Sequence, residues 1–104
     1  MPRGPRLNIY INNLITINMT KQTNAEKYVK KSKYRREVVK SLKGNVKIPS
    51  EIAKDTEIYQ NHISNTLRQL REHEIIECIN PEVKKGRLYR LTDLGDEVAQ
   101  NLEE

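Results

Sequence analysis

The stretch "PSEIAKDTEIYQNHISNTLRQLREH", residues 49–73, limits the fold more than any other part of the chain. Ile52 and Ala53 follow Pro49 at the spacing of a short helix opened by proline in its first turn. Ile63, Leu67 and Leu70 then recur at i, i+4 and i+7, which is the buried stripe of a second helix from about Tyr59 to His73. Two short helices joined by three or four residues make a helix-turn-helix. The polar face of the second helix carries Gln60, Asn61, Ser64, Asn65 and Arg68, with no acid among them. A solvated helix face usually mixes Glu with Lys for i,i+4 support, so this face needs its own explanation.

The flanking sequence supplies the remaining elements. In "SKYRREVVKSLKG", Tyr34, Val38 and Leu42 form an i, i+4, i+8 stripe with Val39 beside it; Ser32 is the expected N-cap and Gly44 the stop. "VKIP" is a short β-prone bridge. "IIECI" and "RLYRL" read as strands on either side of "NPEVKKG", a turn-rich basic loop, with Tyr89 and Leu91 facing inward. Thr92 caps "DLGDEVAQNL", whose early acids suit the helix dipole and whose inner face is Leu94, Val98, Ala99 and Leu102. The order is helix, short strand, helix, helix, strand, loop, strand, helix. That is a mainly α fold with a small β-ribbon (α+β), the winged helix-turn-helix.

Residues 32–102, about two thirds of the chain, resemble the small archaeal winged-helix transcriptional regulators related to the MarR and ArsR groups. The resemblance rests on "SKYRREVVKSL", "PSEIAKDTEIYQNHISNTLRQLREHEIIECINP" and "KGRLYRLTDLGDEV". It implies sequence-specific binding of double-stranded DNA by a transcriptional regulator, a repressor that occupies an operator, with no cofactor. The 59–73 helix would enter the major groove. The 80–87 wing would lie on the backbone or in the minor groove.

This reading accounts for the acid-free face. Amides pair bidentately with adenine and Arg with guanine, whereas acids there would repel phosphates. Gln60, Asn61, Ser64, Asn65 and Arg68 are therefore the expected base contacts, and Thr66 packs on the flank. Lys84, Lys85 and Arg87 crowd the wing tip, where Gly86 permits a tight turn. They are expected on the DNA backbone, although edge ribbons also carry Lys to block aggregation. Lys33 and Arg36, from the basic run "KYVKKSKYRR", are expected to add sequence-independent affinity; a merely solvated face is the other reading. Three positions depart from the pattern. Glu57 and Glu74 stand where Gly is common, and Ile48 stands where Ser or Thr would cap the helix.

Charge is uneven along the chain. Residues 1–48 carry twelve Lys or Arg against Glu26 and Glu37, and residues 49–104 carry seven against twelve acids. No apolar run approaches the ~20 residues needed to span a bilayer. The lone Cys78 forms no internal disulfide, fits a cytoplasmic protein and is expected to be a buried strand residue. His62 and His73 lie eleven residues apart on one helix, too far to share a metal. No phosphate loop, nucleophile elbow or ligand-spaced Cys and His appears, so neither an enzyme nor a metal site is expected.

Residues 1–24 read as an N-terminal extension ahead of a winged-helix domain over 25–104. The extension is either disordered or a short hairpin, Leu7–Ile11 against Leu14–Ile17 around Asn12-Asn13. Met19 as the natural start is the other reading. One recognition helix reads few base pairs, so a homodimer on a pseudo-palindrome is expected. Val98, Ala99 and Leu102 of the last helix and Tyr28 and Val29 near the N-terminus offer the pairing surface. The rival reading is a winged helix serving as a protein-interaction module within a larger complex, which would expose apolar anchors instead.

Overall fold

The computed structural model describes residues 20–102. A first helix, α1, of which residues 20–30 are described, leads into α2 (Lys33–Leu42), α3 (Pro49–Thr56) and α4 (Gln60–Glu72). Two strands follow, β1 (Ile76–Cys78) and β2 (Tyr89–Leu91), and then α5 (Asp93–Leu102). The strands are antiparallel, with Ile76 opposite Leu91, Glu77 opposite Arg90 and Cys78 opposite Tyr89. Lys47 bridges to the free edge of Tyr89 through two backbone hydrogen bonds of 2.9 and 3.1 Å. The fold is thus the winged helix-turn-helix that the element order required.

Local chemistry sets the element ends. The Ser32 hydroxyl accepts from the Arg35 backbone N–H at 3.3 Å and opens α2. Gly44 takes a positive φ of 69° just past its end. Pro49 starts α3, and because the side chain of Ile48 cannot cap, the Glu51 carboxylate accepts from the Ile48 N–H at 3.0 Å instead. Helix α4 ends in a Schellman arrangement: the Ile75 N–H donates to the Leu70 carbonyl and the Glu74 N–H to that of Arg71. Glu74 (φ 60°) and Glu57 (φ 58°) both sit in the left-handed region, so the two departures from glycine do fall where glycine is easiest. The Thr92 hydroxyl accepts from the Gly95 N–H at 3.1 Å and caps α5.

The core lies where the helical stripes and the ribbon meet. Val38, Val39 and Leu42 of α2, Ile52 of α3 and Ile63, Leu67 and Leu70 of α4 are buried, as expected. Ile75 and Ile76 extend the core into β1, and Tyr89, Leu91, Val98 and Ala99 close it. Thr66 is buried too, its hydroxyl donating to the His62 carbonyl at 2.8 Å.

Helix α1 belongs to the folded domain, with Ala25 and Val29 in the core. Three expectations need correction. Val29, Val98 and Ala99 are spent on the chain's own core and cannot also form a pairing surface. Tyr34 is 39% exposed, lying against His62 with ring centroids 5.0 Å apart. At 100° per residue it falls about 90° from the centre of the Val38–Val39–Leu42 face, which Arg35 occupies instead. Cys78 is half-buried rather than buried. The Leu7–Ile17 stretch lies outside the described residues.

Arg35 explains how α1 is held. Its guanidinium sits 3.7 Å over the Tyr28 ring, donates to the Tyr28 carbonyl at 2.9 Å and reaches the Gln69 side chain at 3.3 Å. The His73 ring stacks on Tyr28 at 3.6 Å, tilted by 14°. An Arg–Tyr–His sandwich therefore joins α1, α2 and the end of α4.

Candidate nucleic-acid interface

Helix α4 has two unlike sides. Ile63, Leu67 and Leu70 anchor it, which forces the intervening polar residues outward. Gln60, Asn61, Ser64, Asn65 and Arg68 are all exposed. Arg68 donates to the Asn65 side-chain oxygen one turn earlier, which ties those two side chains together. There is no acid in the first turn and no side-chain cap at Tyr59. Tyr59 itself is 81% exposed, an aromatic ring at the entry to the helix.

The wing is braced by a residue that pattern reading passed over. Asn80 accepts from the Leu88 N–H at 2.7 Å and donates to the Gly86 carbonyl at 3.2 Å, spanning the loop from base to tip. Gly86 adopts φ 74°, and Arg87 Nε donates to the Val83 carbonyl at 2.8 Å. That bond uses one of the five guanidinium donors of Arg87. Lys84 and Lys85 stand exposed at the tip.

Helix and wing face one another across two adjoining troughs of about 300 and 330 Å³. The first lies among Gln60, Ile48, Ser50, Lys84, Lys85 and Gly86. The second lies among Ser64, Leu67, Arg68 and Arg71. Pro49, Arg87 and Tyr89 border both. Not one lining residue is acidic, and no ion pair engages Arg68, Arg71, Lys84, Lys85 or Arg87 among the described residues. The fold thus brings Gln60, Ser64 and Arg68 together with Lys84, Lys85 and Arg87. Asn61 and Asn65 are on the same helix but line neither trough. Arg71 joins the set although the sequence reading left it out; its signal was its i+3 spacing from Arg68.

Lys33 and Arg36 lie apart from this cluster and line neither trough. Lys33 is exposed at the start of α2, while the Arg36 guanidinium donates to the Lys30 carbonyl near the end of α1. A wider depression of about 700 Å³ lies elsewhere. It surrounds the start of α5 and is rich in acids (Glu74, Glu77, Asp93 and Asp96, with Lys21 and Arg90). The Lys21 ammonium, 2.8 Å from Glu74, holds that carboxyl below the ordinary glutamate value. Among the described residues no group of His, Cys, Asp or Glu is arranged to hold a metal ion, and no helix is long and apolar enough to cross a membrane.

No protein-family model matches the sequence. No curated protein matches it either. Solved structures do. A MarR family transcription regulator superposes with a TM-score of 0.64 at 15% identity, over 97% of this chain and 70% of that one. A ZitR mutant from Lactococcus lactis gives 0.62 at 19% identity, over 91% and 71%. MepR from S. aureus, solved as a complex with DNA, gives 0.62 at 16% identity, over 90% and 80%. At such low identities the likeness is one of architecture, and it establishes that this chain has the winged-helix fold found in MarR-family transcription regulators.

Proposed function

We propose that this chain is a non-enzymatic transcriptional regulator that binds double-stranded DNA in a sequence-specific manner and represses by occupying its operator. One observation carries the reading: the troughs between α4 and the wing are lined by an amide, hydroxyls, arginines and lysines, with no acid among the lining residues. Such a face matches phosphates electrostatically and base edges by hydrogen bonding. The face of α4 bearing Gln60, Asn61, Ser64, Asn65 and Arg68 enters the major groove, where these side chains meet base edges and the adjoining phosphates. Lys84, Lys85 and Arg87 hold the backbone or the minor groove beside it, and Lys33 and Arg36 add contacts further out. MepR, a winged helix of the same architecture, was solved with DNA bound, which supports the same partner here. The protein acts in the cytoplasm, without a cofactor, and groups with the small archaeal regulators that share features with the ArsR group.

The protein works as a homodimer on a pseudo-palindrome, with recognition helices spaced by about 34–36 Å or a multiple of it. Because Val29, Val98 and Ala99 serve the monomer core, pairing draws on half-buried Tyr28 and Leu102 among the residues expected at that surface. Light scattering of the full chain at tens of micromolar tests this. A monomer that binds a half-site with full affinity refutes it.

The deciding experiment for the function is selection of bound duplexes from a random pool with the purified full-length chain. An enriched motif is the expected result. A pool that stays flat favours the protein-interaction module instead.

A further inference from the structure

An element in the major groove and a second on the neighbouring backbone or minor groove have a sugar–phosphate strand between them. In this chain the space between α4 and the wing is the pair of troughs that share Pro49, Arg87 and Tyr89. The α4 residues that line them, Gln60, Ser64, Leu67, Arg68 and Arg71, fall on one side of the helix. Asn61 and Asn65 are exposed and line neither. The acid-free face is therefore divided by the position of the wing.

We propose that this trough seats one sugar–phosphate strand, gripped by Arg68, Arg71 and Arg87, and that base reading falls to the part of α4 carrying Asn61 and Asn65. Three guanidiniums border the second trough, and none of them is engaged in an ion pair among the described residues. Guanidinium matches phosphate with paired donors, whereas ammonium supplies only a point charge. Two of the three are held before any ligand arrives, Arg87 by the Val83 carbonyl and Arg68 by the Asn65 side chain. Leu67, Pro49 and Tyr89 add apolar lining suited to the carbon face of deoxyribose. Arg71 is the distinctive assignment. A cation in the last turn of α4 also complements the helix dipole, but that role needs neither a neighbouring trough nor two further arginines.

The assignment rests on duplex binding and sharpens it. It is tested with the full chain by fluorescence anisotropy across a salt series, on the selected duplex and on a scrambled one. Arg71→Gln should weaken both by the same factor. It should lower the slope of log K against log salt by about 0.9, equivalent to about eight-fold between 1 M and 0.1 M salt. Arg71→Lys, which keeps the charge, should retain the slope. Site selection with Arg71→Gln should return the wild-type motif, while Asn61→Ala or Asn65→Ala should change it. An unchanged slope in Arg71→Gln overturns the assignment, as does a motif altered at particular base pairs by the same variant. Wild-type protein that binds no duplex at all overturns the DNA-binding reading itself, which separates the two failures.

Discussion

Gly95→Ala is the substitution for which the structure gives the sharpest expectation. Gly95 is in the first turn of α5 and is buried. A Cβ built on it would lie 2.0 Å from the Ile75 carbonyl oxygen, 3.1 Å from the Ile75 carbonyl carbon and 3.2 Å from Leu91 Cβ. The first distance falls short of the 3.4 Å of ordinary contact by more than an ångström. The obstacle is backbone and cannot swing away. The Ile75 carbonyl accepts from the Thr92 N–H at 3.0 Å and from the Thr92 hydroxyl at 3.1 Å, and the Ile75 N–H closes the end of α4. Helix α5 must therefore tilt off the ribbon, straining the Thr92 cap and the seating of Val98 and Ala99.

Alanine is favoured over glycine inside a helix by about 1 kcal/mol. Overpacking costs about 1–3 kcal/mol, and more where only backbone can yield. A weakened cap adds about 1 kcal/mol. The net loss is about 1–3 kcal/mol, which in a domain of this size lowers Tm by roughly 4–24 °C. Thermal unfolding followed by circular dichroism or calorimetry reads this directly. Gly86→Ala is the control, since a Cβ there meets nothing within 4 Å and only the φ of 74° is penalised, by about 1 kcal/mol. A Gly95→Ala protein that melts with or above the wild type would refute the close approach of α5 to the β1 entry.

Other substitutions separate further parts of the argument. Glu57→Gly should raise stability by about 0.5–1 kcal/mol, read as a higher denaturation midpoint, because φ there is 58° and the carboxylate has no partner among the described residues. The Asp55 carboxyl, hydrogen-bonded by Lys47 and by Ser41 at 3.0 Å, is held below its ordinary value. A depressed folded-state pKa gives stability that is present above the unfolded value and lost as pH falls through the folded one. Asp55→Asn should therefore be less stable than wild type near neutrality, and that deficit should shrink as pH falls below about 4 in acid-titrated melts. Lys85→Ala should weaken binding to all duplexes alike and lower the salt slope by roughly 1.

Most of the fold was legible because its signals are local. The stripes Val38–Val39–Leu42 and Ile63–Leu67–Leu70, the Ser32 and Thr92 caps and the turn at Gly86 each depend on residues within one or two turns of each other. Helix α1 was missed because its anchors are distant. Tyr28 is held by Arg35 and His73, whose roles a helical stripe does not reveal, since Arg at the centre of a buried face looks like a polar interruption. Tyr34 went wrong for the complementary reason. An i, i+4, i+8 run drifts around the helix by about 40° per step, and the first residue of such a run ends at the rim of the face it helped to define. Gly95 gave no signal either: glycine in a helical pattern is as compatible with indifference as with a carbonyl pressed against it.

The candidate interface shows the same division between local and non-local information. That α4 would expose amides and Arg68 follows from its period, and that the wing tip would be basic follows from reading Lys84, Lys85 and Arg87 in order. Which side of α4 the wing faces does not follow from either. It depends on the Lys47 bridge to Tyr89 and on the pairing of Cys78 with Tyr89, which set the ribbon beside α3 and α4. Once the ribbon is placed, Ser64 and Arg68 border the same trough as Arg87, and Arg71 becomes their neighbour. Asn61 and Asn65, equivalent to Gln60 and Ser64 in composition alone, fall outside it. A face that sequence treats as a single surface is thus split by a tertiary contact into a part beside the wing and a part clear of it. The separate responses of motif and salt slope to Asn65→Ala and Arg71→Gln would measure that split.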